Sequence, residues 1–256
     1  ATLRSLVDLR SLGRLQLVAY QEGGGKKRSA KCILATRDLT AIANKATTHP
    51  RFVGTTFADA RGEWSDLAVA CVHGISRSDA RGRELSDRAS NARDLRVAIE
   101  AFGLNKPLAI LGDLQASPFE EELQHETGWF AFRERHELAK YRTSTSKPTR
   151  SPTGTKNPPR GLFNPMWALL EDANPFGTTR YIERGASVTA RRWYHLDQIL
   201  VTDELADQIG KPSIMHKLLA VDLTNKNGAP KISDHLPVNA TLTIGGVKQC
   251  QISKTN

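Results

Sequence analysis

Acidic, imidazole and amide side chains in this sequence fall repeatedly at the edges of short apolar runs. Glu22 closes "LQLVAYQE", His73 closes "DLAVACVH", Asp113 lies in "AILGDLQASP", Asp197 in "HLDQILV", and Asp234 with His235 precedes "LPVNATL". If the runs are strands, these residues stand where α/β proteins usually place their sites. The set suits hydrolysis of a phosphate ester assisted by a hard divalent cation. Mg2+ takes oxygen ligands and keeps several waters, so one or two carboxylates such as Glu22 and Asp234 suffice to hold it against a substrate phosphate; Mn2+ is the alternative ion. The cation offsets charge growing on the phosphoryl oxygens while a neutral imidazole removes a proton from the attacking water. An imidazole does this best when a carboxylate fixes its tautomer, and Asp197 is a candidate for that task. His73 and the amide of Gln115 would grip phosphate oxygens. Taken singly, each position has a plainer reading: a carboxylate at a strand end commonly caps a turn or helix, and a lone histidine is commonly a hydrogen-bonded structural group. The five strand ends taken together favour a site.

The elements that would position them are legible as an α/β pattern. Runs at 15–20, 31–36, 66–72, 107–114, 195–202 and 237–244 have strand length, and several are too apolar to keep a wet face, so they read as central strands buried on both sides. The spacing of Leu85, Ala89, Ala92, Leu95, Ile99 and Phe102 predicts a helix from about Ser86 to Phe102, stopped by Gly103. A second helix is expected in the first dozen residues. Residues 141–161 are nearly free of apolar side chains and rich in Pro, Ser, Thr, Lys and Arg, the composition of a solvated loop insertion. No repeat period is present, which excludes solenoids and propellers. Cys32, Cys71 and Cys250 form no C-x-x-C pair, and the first two, inside apolar runs, read as buried thiols. No apolar run is long enough to span a membrane. The sequence leaves the compartment open, with the cytoplasm slightly favoured, and shows no obligate protein partner.

Several of these segments resemble the endonuclease/exonuclease/phosphatase superfamily. "GDLQASP" looks like its Gly-Asp-X-Asn strand end, "WYHLDQILVTDEL" like its Asp-bearing strand, "ISDHLPV" like its Ser-Asp-His terminus, "LVAYQE" like its Gln-Glu strand end and "LAVACVH" like its mid-chain His strand. Order and approximate spacing agree from about residue 1 to residue 244. The resemblance implies a four-layer α/β sandwich, two packed mixed β-sheets flanked by helices, as one domain over residues 1–246 followed by a C-terminal tail at 247–256. It implies Glu22 as a metal ligand and Asp113 as the residue that positions the water or a second metal. His73 would contact phosphate, Asp197 would orient His235, and Asp234 would sit at the metal or beside the nucleophile. His235 is general base or transition-state donor. Two departures stand out. Gln115 replaces the family's Asn, one methylene longer with the same amide chemistry. The family's first strand, which carries an Asn near the metal, would precede residue 1, and a chain beginning at Ala1 is expected to be weakly active or inactive.

Charge selects among substrates. Lys and Arg number 36 against 27 Asp and Glu, a net charge of +9, and they cluster at "GKKRSAK", "RSDARGR", "KYRTSTSKPTR" and "RRWY". A basic groove around a metal site would follow a phosphate backbone, and Trp193 and Tyr194 would stack on a base or ribose. The expectation is therefore a Mg-dependent nuclease or phosphodiesterase acting on nucleic acid. The alternatives are an enzyme for a small or lipid phosphate, and a catalytically weak member that binds nucleic acid or protein. Gln198 stands where inositol 5-phosphatases carry Arg, and no long hydrophobic insertion of the neutral sphingomyelinase kind is visible.

Overall fold

The computed structural model describes residues 15–21, 31–36, 39–43, 50–59, 66–75, 85–103, 106–141, 160–170, 177–181, 192–218, 221–225, 230–231, 233–244 and 248–254. In chain order the elements are β1 (Leu15–Gln21), β2 (Lys31–Thr36), β3 (Leu39–Ala43), β4 (Phe52–Asp59), β5 (Leu67–His73), α1 (Leu85–Phe102), β6 (Leu108–Asp113), α2 (Glu121–Gln124), β7 (Ala131–Phe132), α3 (Arg135–Leu138) and β8 (Leu162–Phe163). There follow β9 (Thr179–Tyr181), β10 (Arg192–Tyr194), β11 (Asp197–Thr202), α4 (Asp203–Ala206), β12 (Ser213–Ile214), β13 (Lys217–Leu218), β14 (Val221–Asp222), β15 (Val238–Ile244) and β16 (Lys248–Lys254).

A seven-stranded mixed sheet, ordered β3-β4-β5-β6-β11-β8-β7, is the frame. β5 and β6 are parallel and are joined through α1, a βαβ crossover of the kind that lays a helix on the sheet face. Strand alternation divides the side chains between two cores. Ala68, Ala70 and Val72 of β5, Leu108 and Ile110 of β6, and Leu200 of β11 face α1, where Leu95 and Ile99 cover them. Val69, Ala109, Leu111, Ile199 and Val201 face the other way, onto Ala19 and Ile33 of the β1–β2 pair and Ile214, Val238, Ala240 and Leu242 of the β12-β15-β16 sheet. Burial of this order stabilises each large aliphatic side chain by about 2 kcal/mol. The described residues thus form a helix layer, a central sheet and a second sheet layer, in keeping with the α/β sandwich expected. The helix expected in the first dozen residues lies outside them.

Two glycines are required by close approach. A Cβ on Gly54 of β4 would sit 2.6 Å from the Phe102 ring, so this glycine lets the end of α1 seat on the sheet. A Cβ on Gly112, whose φ is +154°, would sit 1.9 Å from the Val72 carbonyl oxygen. Gly112 therefore lets β6 run tight against β5 one residue before Asp113.

Three sequence expectations need adjustment. β4 was not anticipated, because "FVGTTFAD" places buried Thr55 and Thr56 in its middle and masks the apolar pattern. Residues 247–256, expected as a tail, contribute β16, paired antiparallel with β15 from Val238↔Lys254 to Ile244↔Lys248. Cys71, expected to be buried, is half-buried. Most of the 141–161 segment lies outside the described residues. Among those described, no helix is long and apolar enough to cross a membrane.

Candidate active site

Register builds one row of polar groups across three strands. His73 of β5 is the pairing partner of Asp113 of β6, and Asp113 is the partner of Asp197 of β11. Each is an odd-numbered residue on the face that carries Val69, Ala109, Leu111, Ile199 and Val201, so alternation points all three side chains the same way. The adjoining apolar residues bury this end of the sheet. The side chains of Asp197 and Asp113 are 1% and 6% exposed, whereas that of His73 is 37% exposed.

A fourth group arrives from the far end of the chain. Residues 233–236 dock along the start of β9: Thr179 and His235 form an isolated antiparallel bridge, the Leu236 N–H donates to the Thr178 carbonyl at 2.7 Å, and the Thr179 hydroxyl donates to the Asp234 carbonyl at 2.8 Å. The imidazole of His235 then lies with Nδ1 2.6 Å from Asp197 Oδ2 and Nε2 3.9 Å from Asp113 Oδ2. A carboxylate cannot donate, so Nδ1 carries the proton, and in the neutral ring Nε2 is left as an acceptor. His73 Nε2 approaches the same Asp113 oxygen at 3.8 Å. Gln115 closes the group: its backbone N–H donates to Asp113 Oδ1 at 3.0 Å and its side-chain amide to Oδ2 at 2.5 Å.

His235, Asp197, Asp113, His73 and Gln115 are thus brought together. Asp234, next in the chain to His235, is exposed, and its carboxylate accepts from the Ser233 hydroxyl at 3.3 Å. Glu22 lies outside the described residues. Trp193, considered as a stacking platform, instead packs half-buried against the core, and the described part of the "GKKRSAK" cluster, Lys31, is buried with Nζ donating to the Pro50 carbonyl at 3.0 Å. Burial holds the Lys31 ammonium below its ordinary pKa. The remaining Lys and Arg of that cluster, and "RSDARGR", lie outside the described residues.

The sequence reading missed the groups that hold the row in place. The Thr178 hydroxyl accepts from the N–H of Leu196 at 3.1 Å and of Asp197 at 3.2 Å, fixing the entry to β11. Gln198 is buried and donates to the carbonyls of Ala116 and His195, while its own oxygen accepts from Asn164 at 3.1 Å. These side chains tie the turn after Asp113 to β11. Thr178 and Thr179 sit in "FGTTRYIERGAS", a stretch with no strand-like alternation to single them out. Beside them His195 is buried, and desolvation pushes its imidazole below its ordinary pKa.

Among the described residues no group of three His, Cys, Asp or Glu gathers closely enough to hold a metal by itself. The donor chemistry nonetheless fits a hard cation. Asp113 and Asp234 offer only oxygens, and Mg2+ needs one or two carboxylates when waters and a substrate phosphate complete its shell.

No family model and no curated protein matches this sequence. Solved structures do. An endonuclease/exonuclease/phosphatase family protein from Bacteroides thetaiotaomicron superposes over 93% of this chain and 78% of its own, with a TM-score of 0.50 at 13% identity. The chain has the endonuclease/exonuclease/phosphatase fold. Also similar in this fold are truncated TDP2 of Caenorhabditis elegans (13% identity, 95% of this chain and 82% of that one, TM-score 0.49) and the 3' phosphatase NExo from Neisseria bound to a product DNA hairpin (15%, 91% and 80%, 0.48).

Proposed function

We propose that this chain is a divalent-metal-dependent hydrolase of phosphate esters that acts as a nuclease or phosphodiesterase on nucleic acid. The observation that carries the reading is the His235 ring, bonded through Nδ1 to Asp197 at 2.6 Å and presenting Nε2 toward Asp113. In the reaction, a water positioned by Asp113 attacks phosphorus, its oxygen forming the new P–O bond as the ester P–O bond breaks and the leaving ester oxygen takes a proton from solvent. Its proton passes to His235 Nε2, and Asp197 steadies the imidazolium that results. His73, more exposed than its neighbours, donates to a phosphoryl oxygen as negative charge grows there. Glu22 and Asp234 are the residues that would hold a Mg2+, which when bound would neutralise charge growing on the phosphoryl oxygens. The net charge of +9 supports a polyanionic substrate, and the shared fold supports phosphoester chemistry only by analogy.

The test is incubation with supercoiled plasmid, single-stranded DNA, RNA, inositol phosphates and sphingomyelin, each with Mg2+ or EDTA, beside His235→Ala. Nicking that EDTA abolishes and that falls by about 10² to 10⁴ in the variant supports the reading. Phosphate or phosphocholine release without nicking moves the substrate to a small or lipid ester. A gel shift with no turnover sinks the enzymatic reading.

A further inference from the structure

Asp113 is held by a turn of unusual shape, and helix α1 supplies a group that holds the turn. Gln115 has a φ of +57°, in the left-handed region that is unfavourable for any residue with a Cβ and persists only where the surroundings over-determine it. In this conformation Gln115 folds back so that both its backbone N–H and its side-chain amide reach the Asp113 carboxylate. Its carbonyl oxygen accepts from Arg88 Nη2 of α1 at 3.1 Å. Arg88 Nη1 lies 2.8 Å from Glu122 Oε1 of α2, and both side chains are nearly buried, at 12% and 7% exposure. The guanidinium is a rigid planar fork, here set with one nitrogen on the turn and the other on a carboxylate anchored in a neighbouring helix.

We propose that Arg88 is a positioning residue for Asp113. Pinned by Glu122, it holds Gln115 in the left-handed conformation that aims two N–H donors at the Asp113 carboxylate. The inference rests on the phosphoester-hydrolase reading for its kinetic consequence, though not for its geometry. Lysine at position 88 keeps a cation beside Glu122, but a single ammonium on a flexible stem does not reproduce the two-armed contact. Gln115 then relaxes toward ordinary negative φ, and the carboxylate loses the orientation its water requires. The longer side chain at 115 gains its meaning here: with the turn left-handed, glutamine has the reach to curl back onto Asp113.

The experiment uses Arg88→Lys, Gln115→Gly and the double variant, following kcat and KM on the substrate the wild type cleaves, thermal midpoint, and the ¹H–¹⁵N signals of the Gln115 side-chain amide, assigned by their loss in Gln115→Gly. Arg88→Lys is expected to keep its midpoint within about 3 °C of wild type. It is expected to lower kcat about tenfold or more with KM unchanged, and to move the Gln115 amide signals to the position of a solvated glutamine. In the Gln115→Gly background the same substitution should cost less than about twofold in kcat, because the route through Gln115 is already gone. Unmoved amide signals, an equal loss in both backgrounds, or a kcat that merely follows the thermal midpoint each overturns the proposal. Should the wild type hydrolyse none of the substrates, the functional reading falls, and the amide signals alone decide whether Arg88 positions Gln115.

Discussion

At the end of the central sheet, Asp113 and Asp197 are buried with their carboxylates turned toward His235; under helix α1, Arg96 is buried to 2% exposure beside Glu100. Both regions take charge out of water, and they do so to different ends. Arg96 Nε lies 3.6 Å from Glu100 Oε1, one helical turn away, and its Nη2 donates to the Glu126 carbonyl at 3.2 Å. Burial pushes the Arg96 guanidinium down and the Glu100 carboxyl up from their ordinary pKa values. Both members of that pair come from one helix, and their further contacts are to the backbone of Glu126 and Arg160. The site instead gathers side chains from β5, β6, β11 and the segment before β15, and leaves His73 partly open to solvent. Buried charge is thus a poor marker of chemistry on its own, since i,i+4 packing produces it locally. Convergence of chemically distinct groups from distant parts of the chain is the better marker.

Separate damage to the two regions breaks this contrast if it is wrong. Asp197→Asn removes the acceptor that sets the His235 tautomer and should lower kcat by about 10⁴, with the thermal midpoint nearly unchanged, as steady-state kinetics and calorimetry on the same preparation would show. Arg96→Met should do the reverse, destabilising the fold by about 3 kcal/mol in urea titrations because the buried guanidinium's bond to the Glu126 carbonyl is lost and half-buried Glu100 loses its i,i+4 cation, while kcat well below the midpoint stays at the wild-type value. A comparable kcat loss in both variants would erase the distinction. The smallest effect belongs to His195, which lies two residues from Asp197 yet behaves as a structural group. Its folded pKa is depressed from 6.5 by burial, so the unfolded chain binds the proton more readily. Stability from this group is present above 6.5 and is lost as pH falls through the range below it. Thermal midpoints measured between about pH 7.5 and pH 5.5 should therefore slope less in His195→Gln than in wild type.

What the sequence disclosed follows the same division. The strand at 31–36 and the helix ending at Phe102 were legible because periodicity records which face is buried. His73, Asp113 and Asp197 were legible because each is a polar residue at the end of an apolar run, where only its position makes sense of its type. β4 escaped because its buried threonines break that rule. Thr178, Thr179 and Arg88 escaped for another reason: their contacts are with backbone groups more than 15 residues away, and a hydroxyl or guanidinium in a polar stretch carries no trace of a distant carbonyl or amide.

The pairing of His73, Asp113 and Asp197 in one transverse row has a consequence for quality control. Side chains alternate with a period of two, so a chain threaded one residue out of step at β6 would turn Asp113 toward the helix layer and carry Leu114 into its place. Such a molecule would keep much of its hydrogen-bond ladder and much of its compactness, yet be catalytically silent. If the proposed activity holds, turnover would report the alignment of three strands at once, and a preparation's specific activity would measure the fraction of molecules whose central sheet has zipped in the correct frame.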